Sequence, residues 1–187
     1  MAFEPKIKAC VSEKCTKLIL ADVTGAHSLT GDNSDWGGAG SPDGSSDSTA
    51  TFTVDGGTAT NITSYVPATV AANEFSLGEH AVTLADGWHT IVYTVTESGG
   101  GGASYTDTIK IFTYCNIKCC VFSKMLEMKT LDLCKDVEKV ASYMHLWTLY
   151  KSMIYAANGC DADQATDILD RLNKLCPAAT TGGCGCS

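Results

Sequence analysis

Ten cysteines are the residues of this 187-residue chain best suited to chemistry. Cys10 and Cys15 come early, and Cys115, Cys119 and Cys120 cluster past the middle. Cys134, Cys160 and Cys176 follow at wider intervals, and Cys184 and Cys186 sit in the segment PAATTGGCGCS. Such thiols can pair as disulfides, bind a structural zinc ion as thiolates, or pack as small apolar groups. The even count permits complete pairing, whereas the spacing lacks the paired C-x2-C knuckles of a strong zinc signature. All ten are therefore candidate disulfide or metal residues, and the residue pattern leaves the three readings open. A catalytic cysteine also needs a neighbouring base. His27, His80, His89 and His145 are the available histidines, and no motif sets any of them beside a cysteine.

Other chemistry is thinner still. The chain has no G-x-S-x-G elbow, no phosphate-binding glycine loop and no H-E-x-x-H pair. Asp32, Asp35, Asp43 and Asp47 are oxygen ligands of the kind calcium takes, but they do not match the spacing of a calcium loop. Asn61-Ile62-Thr63 is a formal glycosylation sequon. Trp36 is the single large apolar residue of the Gly/Ser/Asp-rich stretch 30–48, placed either to plug the fold or to anchor a partner. Gly99 and Gly100, in the glycine tract 99–102, are further partner-contact candidates at a hairpin tip. The expectation is a non-enzymatic protein with no catalytic residue. No cofactor is expected, a structural zinc being the one that the cysteines would suit.

The elements that must position these residues divide the chain in two. Up to residue 115, Lys6–Val11, His89–Thr96 and Tyr105–Tyr114 alternate with period two, and Leu18–Leu20, the Thr/Val/Phe-rich Thr51–Val54 and Glu79–Leu84 are further short strand-like runs. Asp55-Gly56-Gly57 and Ala85-Asp86-Gly87 punctuate them as turns. About seven strands predict an antiparallel sandwich of immunoglobulin or fibronectin type over 1–115. The period then changes to that of helices. A helix is expected over 116–129, and a longer one from Asp132 to about Ala157. The latter aligns Val137, Val140, Ala141, Met144, Trp147 and Ile154 on one face. Asp161 with Gln164 resembles a capping box that opens a third helix, which Pro177 stops. The expected architecture is α+β in two modules, a sandwich and a three-helix unit over 116–177, with a Gly/Cys tail at 178–187.

Charge follows the same division. No lysine or arginine occurs between Leu18 and Ile109, where eleven acids stand, whereas nine basic residues meet eight acids from Lys110 onward. A surface that tracks phosphates needs clustered cations, so this balance argues against nucleic-acid binding by the first module. No apolar run approaches the roughly 20 residues that span a bilayer, so no membrane insertion is expected. The start, MAFEPKIKAC, has no apolar stretch of the secretory kind. A helical unit of about 60 residues is too small to be secure by itself and calls for staples or docking.

Four segments carry a resemblance to a family. IKACVSEKCTKL (7–18) followed by ADVTGA (21–26), then LADGWHTIVYTVT (84–96), then YCNIKCCV (114–121), together resemble virion structural proteins of tailed bacteriophages. In these an Ig-like domain precedes a helical, cysteine-bearing end. The resemblance implies a neck, tail or baseplate adaptor, or a subunit to which fibres attach. It implies assembly in the host cytoplasm, contacts with other virion proteins and with copies of itself, and no enzymatic residue. The alternative from another class is an Ig-like adhesin or carbohydrate-binding module using the 30–48 loop.

Overall fold

The computed structural model describes residues 5–12, 15–24, 49–65, 74–96, 104–159 and 161–177. Trp36, Gly99, Gly100, Cys160, Cys184, Cys186 and the 30–48 loop lie outside the described residues. The fold is α+β: two antiparallel sheets, then three helices. The sheets hold seven strands, β1 (Ile7–Val11), β2 (Lys17–Asp22), β3 (Thr49–Val54), β4 (Thr60–Asn61), β5 (Phe75–Ala81), β6 (Gly87–Thr96) and β7 (Ser104–Thr113). One sheet has the order β1-β2-β5 and the other β4-β3-β6-β7. That places the first, second and fifth strands against the third, sixth and seventh, the immunoglobulin distribution, with the short fourth strand beside the third. The fifth strand starts four residues before the expected Glu79, because Gly78, at φ +92°, lies mid-strand beside an irregularity at Leu20/Ala21.

Alternation does in the sandwich what it promises. Register sets Ala50 opposite Val95, Phe52 opposite Tyr93 and Val54 opposite Ile91. These side chains meet Ile7, Leu18, Leu20 and Leu77 of the other sheet in one core. Each fully buried Leu or Ile there contributes about 1.5–3 kcal/mol by removing apolar area from water. One carboxylate enters this core: Asp22, 1% exposed, accepts the Tyr93 hydroxyl at 3.0 Å and the Thr24 N–H at 2.8 Å. Burial, and then the charge of Asp22, hold the Tyr93 phenol far above its ordinary range.

Two compact units result, 1–84 with 89–111, and 85–88 with 112–187. The turn at 85–88 thus belongs with the helices although it lies between two strands of the sandwich. In the helical unit, α1 spans Cys115–Met128, α2 Val137–Asn158 and α3 Ala162–Leu175. The long helix starts at Val137 and not at Asp132, because Asp132 is used in a turn, its Oδ1 accepting the Cys134 N–H. The cap on α3 is as the sequence reads it, with Asp161 Oδ1 accepting the Gln164 N–H at 3.0 Å.

The core of this unit joins Ile117 and Val121 of α1, Leu146, Tyr150 and Met153 of α2, and Ile168, Leu169 and Leu172 of α3. The expected buried face of α2 is corrected here. Its buried residues are Tyr143, Leu146, Tyr150, Met153 and Ala156, while Val137 is 58% and Met144 50% exposed. Apolar residues encircle this helix, so helical spacing alone selects no face.

One polar clamp joins the first two helices. The Glu127 carboxylate accepts the Tyr143 hydroxyl at 2.8 Å and the Lys139 ammonium, with Lys124 at 3.4 Å. Both ammonium groups also lie over the Tyr143 ring, at 5.5 and 5.8 Å from its centroid. The bond from Lys139, and then that from Tyr143, hold the Glu127 carboxyl down at about 2, against an ordinary 4.5. A carboxylate with a lowered folded-state pKa stabilises above its unfolded value and stops doing so as pH falls through the folded one. Glu127→Gln is therefore expected to lower the melting temperature at neutral pH, and that deficit is expected to shrink between pH 4.5 and about 2. Thermal melts of parent and variant across this window check it; a deficit independent of pH contradicts it.

Candidate interaction surface

The helical unit is assembled by ties from outside its helices as well as within them. Helix α1 begins without a side-chain cap from Tyr114, the residue preceding it. Asp86 supplies the missing acceptors from thirty residues upstream. Its Oδ1 accepts the Asn116 N–H at 3.0 Å and its Oδ2 the Ile117 N–H at 2.8 Å. Two otherwise unpaired donors are satisfied, and a negative charge sits at the positive end of the helix dipole. The Thr113 hydroxyl reaches the Ala85 carbonyl, and that of Gly87 at 3.3 Å. The Ala85-Asp86-Gly87 turn legible in the sequence is thus the cap of a distant helix.

A column of rings continues from this turn. Trp88 meets Phe112 at 5.1 Å, Phe112 meets Tyr114 at 6.2 Å, and Tyr114 meets Tyr150 at 6.0 Å. Tyr150 stacks on Trp147 at 5.7 Å, and Phe122 closes on Trp147 edge-on at 5.7 Å. Each such contact adds about 0.5–1.5 kcal/mol beyond its burial. Burial, and then Tyr114, push the Tyr150 phenol up to about 12.

The cysteines divide by location. Cys120 of α1 is bonded to Cys176, just past α3, with Cα atoms 6.1 Å apart. Cys15 and Cys115 are also disulfide-bonded. Cys10 and Cys134 are exposed free thiols, and Cys119 is half-buried. Of the three readings of the sequence, disulfide bonding is the one adopted by Cys15, Cys115, Cys120 and Cys176, and no group of three or more metal-ligating side chains occurs among the described residues. Cys10 borders a depression of about 340 Å³ on the first sheet, beside Ile19, Ala21 and the Lys8–Glu74 ion pair.

Two histidines, His80 and His89, are built into the sandwich. His89 is buried, with Nδ1 2.7 Å from Asp55 Oδ2, while Asp55 Oδ1 accepts the Thr90 N–H at 2.7 Å. The His89 bond, and then the Thr90 bond, hold the Asp55 carboxyl below the usual carboxylate range. His80 packs against Phe52 and Tyr65, with Nε2 2.8 Å from the Leu77 carbonyl.

Exposed apolar side chains gather on the helices. Of the eight large ones exposed among the described residues, only Tyr65 lies in the sandwich. The others include Phe122 and Leu126 on α1, and Val137, Met144 and Tyr155 on α2. No described helix is long and apolar enough to cross a membrane. No protein-family model, curated protein or solved structure matches this chain.

The Cys120–Cys176 bond ties α1 to the residue just past α3. In the chain-entropy view, a cross-link between residues 56 apart stabilises by about 4 kcal/mol. A Cys120→Ala/Cys176→Ala double variant is expected to lose most of that, read as a lower urea midpoint. An unchanged midpoint contradicts a structural role for this bond.

Proposed function

We propose that this chain is a non-enzymatic structural component of a tailed-phage virion: a neck, tail or baseplate adaptor, or a fibre-attachment subunit, acting through protein–protein contacts. The observation that carries the reading is the concentration of exposed apolar side chains on a disulfide-stapled helical unit. A contiguous apolar surface on a small unit is costly in water unless a partner covers it. The sandwich contrasts with it: among its described large apolar side chains only Tyr65 is exposed, and its sequence from Leu18 to Ile109 carries acids and no lysine or arginine. One module thus stays solvated while the other offers contact. The phage-type resemblance of segments 7–18, 84–96 and 114–121 supplies the particular assembly. Disulfides in a chain made in a reducing cytosol fit a particle that lysis releases into an oxidising medium.

Proteomics of purified phage particles tests the proposal. The chain is expected in the particles at a fixed ratio to other tail proteins. Its absence from particles, together with saturable glycan binding that Trp36→Ala abolishes, would overturn the proposal in favour of a carbohydrate-binding module.

A further inference from the structure

The outward face of α2 is as regular as its buried one. Val137, Ala141, Met144, Thr148, Lys151 and Tyr155 are all exposed, at steps of four, three, four, three and four residues. That is the 3.5-residue period of a helix that packs lengthwise against another. We infer that this stripe is a self-pairing surface, on which α2 of a second copy lies antiparallel about a two-fold axis at the level of Leu146. The inference rests on the assembly reading above and names its surface and partner.

Three features favour a second copy. First, the stripe matches its own reversal. Turned about position 146, Val137 falls opposite Tyr155 of the other copy and Met144 opposite Thr148. Ala141 falls opposite Lys151, so the smallest side chain of the stripe meets the longest and each contact is made twice, as an isologous contact requires. Second, the stripe carries a single charge, that of Lys151. Its ammonium stands 5.8 Å from the centre of the Trp147 ring, which leaves its aliphatic stem available to the interface. One margin carries Glu138, His145 and Ser152. A helix lying on an anionic membrane would need lysine and arginine there. Third, the area is sufficient. Phe122 packs on Trp147, one turn from Met144, and extends the stripe onto α1 with Leu126. The apolar surface exposed by Phe122, Leu126, Val137, Met144 and Tyr155 is on the order of 500 Å² per copy. Two copies thus reach the roughly 1,000 Å² that a specific interface needs.

Size-exclusion chromatography with light scattering on the full oxidised chain, over a concentration series, tests this. The parent is expected at twice its 19.7 kDa. Met144→Glu, at mid-stripe, and Tyr155→Glu, at its end, are each expected to return the monomer mass or to weaken association at least roughly tenfold. Asp163→Lys, on the solvated side of α3, is expected to leave the dimer unchanged. Both stripe positions are exposed, and circular dichroism establishes that the variants are folded. A parent that is monomeric at every concentration overturns the inference. An oligomer that survives both stripe substitutions also overturns it, while leaving the assembly reading standing on another surface.

Discussion

A helix cannot begin without acceptors for its first N–H groups, and α1 takes them from a carboxylate that the chain laid down thirty residues earlier. Through Asp86, the turn between the fifth and sixth strands becomes part of the helical unit, and Thr113 holds that turn by its carbonyls. The chain therefore passes between its two units three times, at 84/85, 88/89 and 111/112. A unit of this size has a core too small to be secure. The capping carboxylate, the ring column from Trp88 to Phe122 and the Cys120–Cys176 bond add the constraints that its core lacks.

Those constraints leave α2 free to be apolar on both sides. Its inner side chains, Tyr143, Leu146, Tyr150 and Met153, complete the core, and Glu127 ties Tyr143 to α1 by a bond that no apolar packing would give. Its outer side chains Val137, Met144 and Tyr155 lie outside that core. The sandwich divides differently. Alternation sends Leu18, Leu20, Phe52 and Tyr93 inward and leaves Lys17, Ile19 and Ala21 of β2 and Thr49, Thr51 and Thr53 of β3 on the outward side.

How much the sequence reveals depends on the range of each interaction. The strands at 49–54 and 87–96 are legible because alternation is a local signal, and Asp161 because a capping box spans three residues. The start of α2 is misread because Asp132 and Asp136 are both acceptable caps, and only the turn built by Asp132 selects the later one. The buried face of α2 is misread for a deeper reason. Val137, Ala141 and Met144 are as regularly spaced as Tyr143, Leu146 and Tyr150, and only the positions of α1 and α3 distinguish the two sets. Asp86 reads as turn punctuation, since its partners are Asn116 and Ile117, and no local pattern links residues that far apart. The cysteines could be counted but not paired, because connectivity belongs to the fold.

The central claim is that the carboxylate of Asp86 organises the first turn of α1, and through it the helical unit. Amide hydrogen exchange of an Asp86→Ala variant tests this most directly. Losing a helix cap costs about 0.5–2 kcal/mol, so the amides that open α1 should exchange about 2- to 30-fold faster. Those of β2 and β3 should keep their rates. Unchanged protection at Asn116–Cys120 would contradict the account, because α1 would then stand without the turn that is here taken to hold it.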